Sequence, residues 1–191
     1  MTALPEYARP LTSAEYAALP EDIDARFELQ EGNRVMSPSP VPRHQLGHFR
    51  LAAQLDAQLP GHVVLQEVDI DLELVPPDQP GTVRVPDVVV VPREAFQRVD
   101  EHGGLLRASD VSLAVEILSR GSVRTDSRIK HEEYADAGIG HYWMIDLLDG
   151  PSLVACHLAG AFGYRDDEPV RGTVVTRAPF PLRIDLDALL A

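Results

Sequence analysis

Three segments decide most of what this chain can fold into: VRVPDVVVV (83–91), VSLAVEIL (111–118) and HYWMIDLL (141–148). Each is too short and too rich in β-branched and aromatic residues for a core helix, and each is apolar at consecutive positions. A strand with one wet face alternates, whereas a continuous apolar run is buried on both faces. The spacing predicts a helix over 123–137 between the second and third runs, so these two strands should be parallel with a right-handed crossover. The expected architecture is a mixed α/β fold with a central sheet flanked by helices.

Around that centre, TSAEYAAL opens a short helix with Thr12 as N-cap and Glu15 completing a capping box; Pro20 ends it. RFELQEGNRVMS reads as a hairpin turning at Glu31-Gly32-Asn33. RHQLGHFRLAAQLDAQL is amphipathic, with Leu51, Leu55 and Leu59 four apart and Gly61 as its cap. LQEVDIDLEL alternates as a strand, and REAFQRVDEHGGLL is a short helix and loop. Residues 151–158, 161–167 and 172–176 read as a meander, and IDLDALLA as a C-terminal helix. A length of 191 residues suits one domain, with a core of about 12–150 and the meander and helix over 151–191.

Two acids interrupt the apolar runs. Asp87 follows VRVP and Glu116 sits inside LAVEIL, with Ala114 and Leu118 as its same-face neighbours. Carboxylates are rarely buried unless paired or bound to metal. Asp87 alone reads equally as a strand-start turn residue, and Glu116 as the partner of a buried arginine. Together on adjacent strands they make a hard-cation site, and Mg²⁺ favours one or two carboxylates plus water and phosphate.

The chain has a single lysine, Lys130, in DSRIKHEEYADAG. A helical wheel places Val123, Asp126, Lys130, Tyr134 and Ala137 on one stripe, and Arg124, Arg128, His131, Glu132 and Asp136 beside or opposite it. Lys130 is therefore expected to point inward, with Tyr134 near the same pocket. An Asp126–Lys130 pair four residues apart would fit beside that role. A compact ammonium can orient a water or touch a phosphate oxygen. Two carboxylates, a metal and an amine suit metal-assisted phosphodiester hydrolysis.

The net charge of −13 excludes a broad non-specific nucleic-acid footprint, so any polyanion contact must be local. Arg120, Arg124, Arg128 and Lys130 supply one just after Glu116. One cysteine, Cys156, excludes an internal disulfide framework and a Cys-rich zinc site. His44 and His48 have zinc-ligand spacing, but Gln45 stands where a metalloprotease needs Glu. His44 is instead placed toward the substrate. His131, His141 and His157 show no ligand-like pattern, Ser119 and Ser122 no nucleophile elbow, and no Walker-type loop is present. No apolar run approaches the roughly 18 residues of a membrane helix, and no secretory signal opens the chain; a cytoplasmic protein away from membranes is expected.

VPDVVVV, then LAVEILS, then Asp, Lys and Tyr on the next helix, then YWMID, resembles the restriction-endonuclease-like superfamily, the PD-(D/E)xK nucleases. More narrowly, with the opening RFELQEGNRVMSPSPVPRHQ, it is similar to the Uma-two family of endonucleases within it. The resemblance implies a restriction-endonuclease-like mixed sheet and a Mg²⁺-dependent DNA endonuclease, with Mn²⁺ able to substitute. Asp87 and Glu116 become the motif acids. The metal would be held by them and the Ile117 backbone carbonyl, with Glu28 as an upstream acid reaching it directly or through water. Leu118 stands where the superfamily has its lysine, and Lys130 on the following helix takes that role. Ser119-Arg120 replaces the family's usual Ser-Pro. Arg120 and Arg124 would contact phosphate, and His44, Asp126 and Tyr134 would support the site. A homodimer is expected because nucleases of this fold often pair to cut two strands. The alternative is a non-catalytic member of the fold that binds nucleic acid or a protein partner.

Overall fold

The computed structural model describes residues 9–20, 25–37, 41–118 and 125–191, the side chains of 125–127 and 161 excepted. In chain order, α1 (Ser13–Ala17) leads to the hairpin β1 (Phe27–Gln30) and β2 (Asn33–Met36), then α2 (Pro42–Asp56) and β3 (His62–Gln66). Two-residue strands β4 (Ile70–Asp71) and β5 (Val83–Arg84) precede β6 (Val88–Pro92), α3 (Arg93–His102), β7 (Leu106–Arg107) and β8 (Leu113–Leu118). A π-helical turn, Thr125–Lys130, runs into α4 (His131–Asp136) and then β9 (His141–Asp146). The rest is β10 (Ser152–Leu158), β11 (Tyr164–Asp166), β12 (Val170–Arg171), β13 (Thr173–Val175) and β14 (Arg183–Asp185).

The larger sheet has the order β11-β10-β9-β8-β6-β3, with β12 beside β10. Its centre is the three apolar segments. β8 and β9 are parallel, as a helical crossover requires, whereas β6 runs antiparallel to β8. Alternate residues of these strands feed two cores. Val88, Val90, Leu113, Val115, Ile117, Trp143 and Ile145 meet Leu51 and Leu55 of α2. Val89, Val91, Ala114, Tyr142 and Met144 meet Ala95 of α3 and Tyr134 of α4. A strand covered on both faces has no wet position, which is why its sequence does not alternate.

The smaller sheet, β2-β1-β5-β4-β7, holds the hairpin. Its turn falls at Glu31-Gly32, both with positive φ, and the capping box of Thr12 and Glu15 is present. Several boundaries differ from expectation. VRVPDVVVV is two strands in two sheets, because Pro86 has no N–H to give a ladder and the chain breaks around it. LQEVDIDLEL likewise divides, with positive φ at Glu67 between β3 and β4 and at Glu73 after β4. α2 ends at Asp56 with Ala57 as its cap rather than Gly61. IDLDALLA is the end of β14 and a single 3₁₀ turn (Asp187–Leu189), not a helix; β14 pairs with β13, and burial of Ile184, Leu186 and Leu189 beneath α2 fixes the segment.

Candidate functional site

The site forms where β6, β8, β1 and α4 converge. In the β6–β8 register Val88 faces Val115 and Val89 faces Ala114, so one step back sets Asp87 opposite Glu116. The break at Pro86 leaves Asp87 just outside the ladder. Its Oδ2 accepts the Ile117 N–H at 2.6 Å and lies 3.1 Å from His44 Nε2. The His48 ring nitrogen bonds the Asp87 carbonyl oxygen. One turn of α2 thus grips Asp87 with both histidines, which explains their spacing without zinc.

Lys130 is turned inward, with 6% of its surface exposed. Its Nζ lies 2.8 Å from Glu116 Oε1 and 2.9 Å from Glu28 Oε1. Tyr134, one turn along α4, donates its hydroxyl to the same Glu116 oxygen at 2.9 Å. Burial first, then the neighbouring Glu116 and Glu28, push the Tyr134 hydroxyl well above its ordinary pKa, so it stays a donor. Lys130 closes a π turn and Tyr134 lies in the α-helix that follows it, and π turns inside helices are frequent at functional sites.

The sequence reading missed Arg84, Glu133 and the role of His48. Arg84 is 1% exposed. Its Nη1 donates to Glu28 Oε2 at 2.9 Å, while Nε and Nη2 donate to Glu133 Oε2 and Oε1 at 2.6 and 2.7 Å. This bidentate fork ties β5 to α4 beside Lys130. The buried arginine serves Glu28, and Glu116 takes the lysine instead. An arginine inside VRVP, between two apolar residues, was the available signal.

Burial opposes ionisation of Glu28, but Lys130 and Arg84, helped by the Val85 N–H at 3.0 Å, outweigh it and hold the carboxyl below its usual range. For His44, burial likewise opposes the charge, while Asp87, Glu67 and the Ile117 backbone outweigh it and raise the imidazole pKa. His44 Nδ1 is buried with no hydrogen-bond partner among the described residues. The side chain of Asp126, and Arg120 and Arg124 altogether, lie outside the described residues, so the proposed phosphate contacts do too.

Four carboxylates, Asp87, Glu116, Glu28 and Glu133, face the cations Lys130 and Arg84, and His44, its imidazole pKa raised, lies against Asp87 as a further positive group. Asp87, Glu116 and the Ile117 carbonyl offer the hard oxygen donors that a divalent cation takes; among the described residues, Asp87, Glu116 and Glu28 do not converge as a set within 4.8 Å. The unpartnered His44 nitrogen beside Asp87 fits an exogenous oxygen, from water or phosphate. Every carboxylate oxygen now in contact is held by a protein donor, so a cation would share these groups with Lys130 and the Ile117 N–H.

Residues 13–188 match the family described as "Uma2: Putative restriction endonuclease". No curated protein matches. Among solved structures, the chain is similar to a "putative nuclease belonging to DUF820" from Anabaena variabilis ATCC 29413. The identity is 18%, the TM-score 0.70, and the match covers 95% of this chain and 100% of that one. At that identity the likeness shows the fold, which is restriction-endonuclease-like. With the family match spanning nearly its whole length, the chain belongs to the Uma2 family.

Proposed function

We propose that the chain is a Mg²⁺-dependent DNA endonuclease whose site is Asp87, Glu116 and Lys130. The observation that carries this reading is the chain's one lysine, buried between Glu116 and Glu28 and facing a strand that sets Asp87 opposite Glu116. Asp87, Glu116 and the Ile117 carbonyl would hold the cation, and Glu28 would reach it through water. When bound, the cation supplies Lewis-acid stabilisation of charge on the phosphoryl oxygens and acidifies a water.

The chain's own residues do the positioning. Lys130 is an ammonium fixed by two carboxylates, able to orient the attacking water and to face the phosphate with positive charge. Tyr134 and Lys130 share Glu116 Oε1 and set its orientation. His44 keeps one ring nitrogen on Asp87 and offers the other to an incoming oxygen. Arg128, exposed near the end of the π turn, would meet a backbone phosphate without reading sequence. A homodimer would bring two such sites to the two strands.

A second reading, a non-catalytic protein of the same fold, draws support from the same contacts: Asp87 and Glu116 are each bound by donors of the chain itself. Plasmid cleavage in Mg²⁺ or Mn²⁺ separates the two. Wild type should nick plasmid and EDTA should stop it. Lys130→Met and Asp87→Asn should each lose roughly 10²-fold or more, the scale of removing one preorganised transition-state group. Full cleavage by Lys130→Met removes the assignment, and a wild type that neither binds Mn²⁺ nor cuts favours the second reading.

A further inference from the structure

The face of the larger sheet under α4 carries a second group of ligating side chains, separate from the carboxylates around Lys130. Cys156 of β10 and Asp166 of β11 are cross-strand partners, so their side chains share a face. α4 crosses above them and lowers His131, whose Nε2 is 2.9 Å from Asp166 Oδ1. The His131 ring nitrogen, Cys156 Sγ and an Asp166 oxygen all lie within 4.8 Å of one another. Among the described residues this is the group of three or more such donors that converges in this way.

We propose that His131, Cys156 and Asp166 form a Zn²⁺ site, with water as the fourth ligand. One imidazole, one thiolate and one carboxylate are the donor types Zn²⁺ takes, and bonds of roughly 2.0–2.3 Å need donors only modestly apart. The 2.9 Å His131–Asp166 contact is a hydrogen bond that opens slightly to admit the ion. The charges balance: a thiolate and a carboxylate cancel the dication, which suits a site bordering an apolar core. On binding, the Cys156 S–H proton leaves to solvent and a Zn–S bond forms, with no change in oxidation state. Cys156 is buried, whereas the Asp166 side chain is 45% exposed, so ion and water enter from the Asp166 side. The Tyr142 and Tyr164 rings stand edge-on to the His131 imidazole at 6.2 and 5.2 Å and fix its plane. A thiolate disfavours Mg²⁺, so this site and the oxygen-lined one select different metals. His131 follows Lys130 directly, so a bound ion staples α4 to β10 and β11 beside the site. The inference does not rest on the endonuclease reading.

Cobalt titration of the EDTA-stripped full chain tests it. The chain has one cysteine, so thiolate-to-cobalt charge-transfer absorption in the near ultraviolet has one source. We expect a band saturating at one Co²⁺ per chain in wild type and in Asp87→Asn, displaced by Zn²⁺ and unaffected by Mg²⁺. Cys156→Ser should lose the band while circular dichroism shows retained structure. Asp166→Asn, a half-exposed change that leaves the core intact, should weaken Co²⁺ binding by about tenfold or more. No band in wild type overturns the proposal. Saturation at half an equivalent, meaning one ion shared by the Cys156 thiolates of two copies, overturns it as well, and so does wild-type affinity in Asp166→Asn.

Discussion

Replacing Arg84 by Met puts the most weight on the network around Lys130. The guanidinium is 1% exposed and makes three N–H···O contacts of 2.6–2.9 Å to Glu28 and Glu133. Breaking a buried ion pair from one side costs about 3–5 kcal/mol, because the remaining charge stays desolvated. Two features pull the value to the low end. Glu28 keeps Lys130 and the Val85 N–H, and the Glu133 side chain, 18% exposed, can turn to water. About 3 kcal/mol is therefore expected, equivalent to a fall in Tm of about 6–12 °C for a chain of this size. Thermal and urea unfolding at neutral pH would measure it. In Arg84→Met with Glu28→Gln the losses should not add, leaving a coupling of about 0.5–3 kcal/mol. A loss under about 1 kcal/mol, the worth of an exposed pair, or strict additivity would refute the reasoning.

Glu28 also sets an acid limb. Its carboxyl titrates lower folded than unfolded, so its stabilisation is complete above the usual carboxylate value of about 4.3 and is lost as pH falls through the lower folded value. Glu28→Gln should flatten Tm against pH below about 4, and an unchanged acid limb counts against the pairing. Gly32→Ala should cost at least about 1–2 kcal/mol, since the residue has φ +77° and an added Cβ would sit 2.5 Å from Pro10 Cβ. A variant as stable as wild type in urea would show that the hairpin turn relaxes freely. EDTA should abolish plasmid cleavage without unfolding the larger sheet, because the site's carboxylates already have protein partners; collapse of the circular dichroism signal would contradict this.

Much of the centre was legible in advance. The unbroken apolar runs announced strands covered on both faces, and the helix after β8 required β8 and β9 to be parallel. The wheel turned Lys130 and Tyr134 inward even though the helix begins as a π turn, because Lys130 is the last residue of that turn and Tyr134 follows it by four positions in regular α-helix. The errors fall where local pattern is thin. A single Pro86 splits one apparent strand between two sheets, and the last eight residues are too short for periodicity to separate a helix from a strand end held by core leucines.

What the sequence determined by itself is the side of its own element on which each residue sits: Glu116 on a buried face, Lys130 on an inward stripe, Arg84 inside an apolar pair. Periodicity carries that information because backbone geometry fixes it residue by residue. Which side chains then meet was decided by the tertiary structure alone. Arg84 joins Glu28 to Glu133, two histidines of α2 close on Asp87, and His131 comes down on Cys156 and Asp166. Those pairings span tens of residues, and their distances follow from how helices seat on sheets, a property of packed volumes that no local repeat encodes.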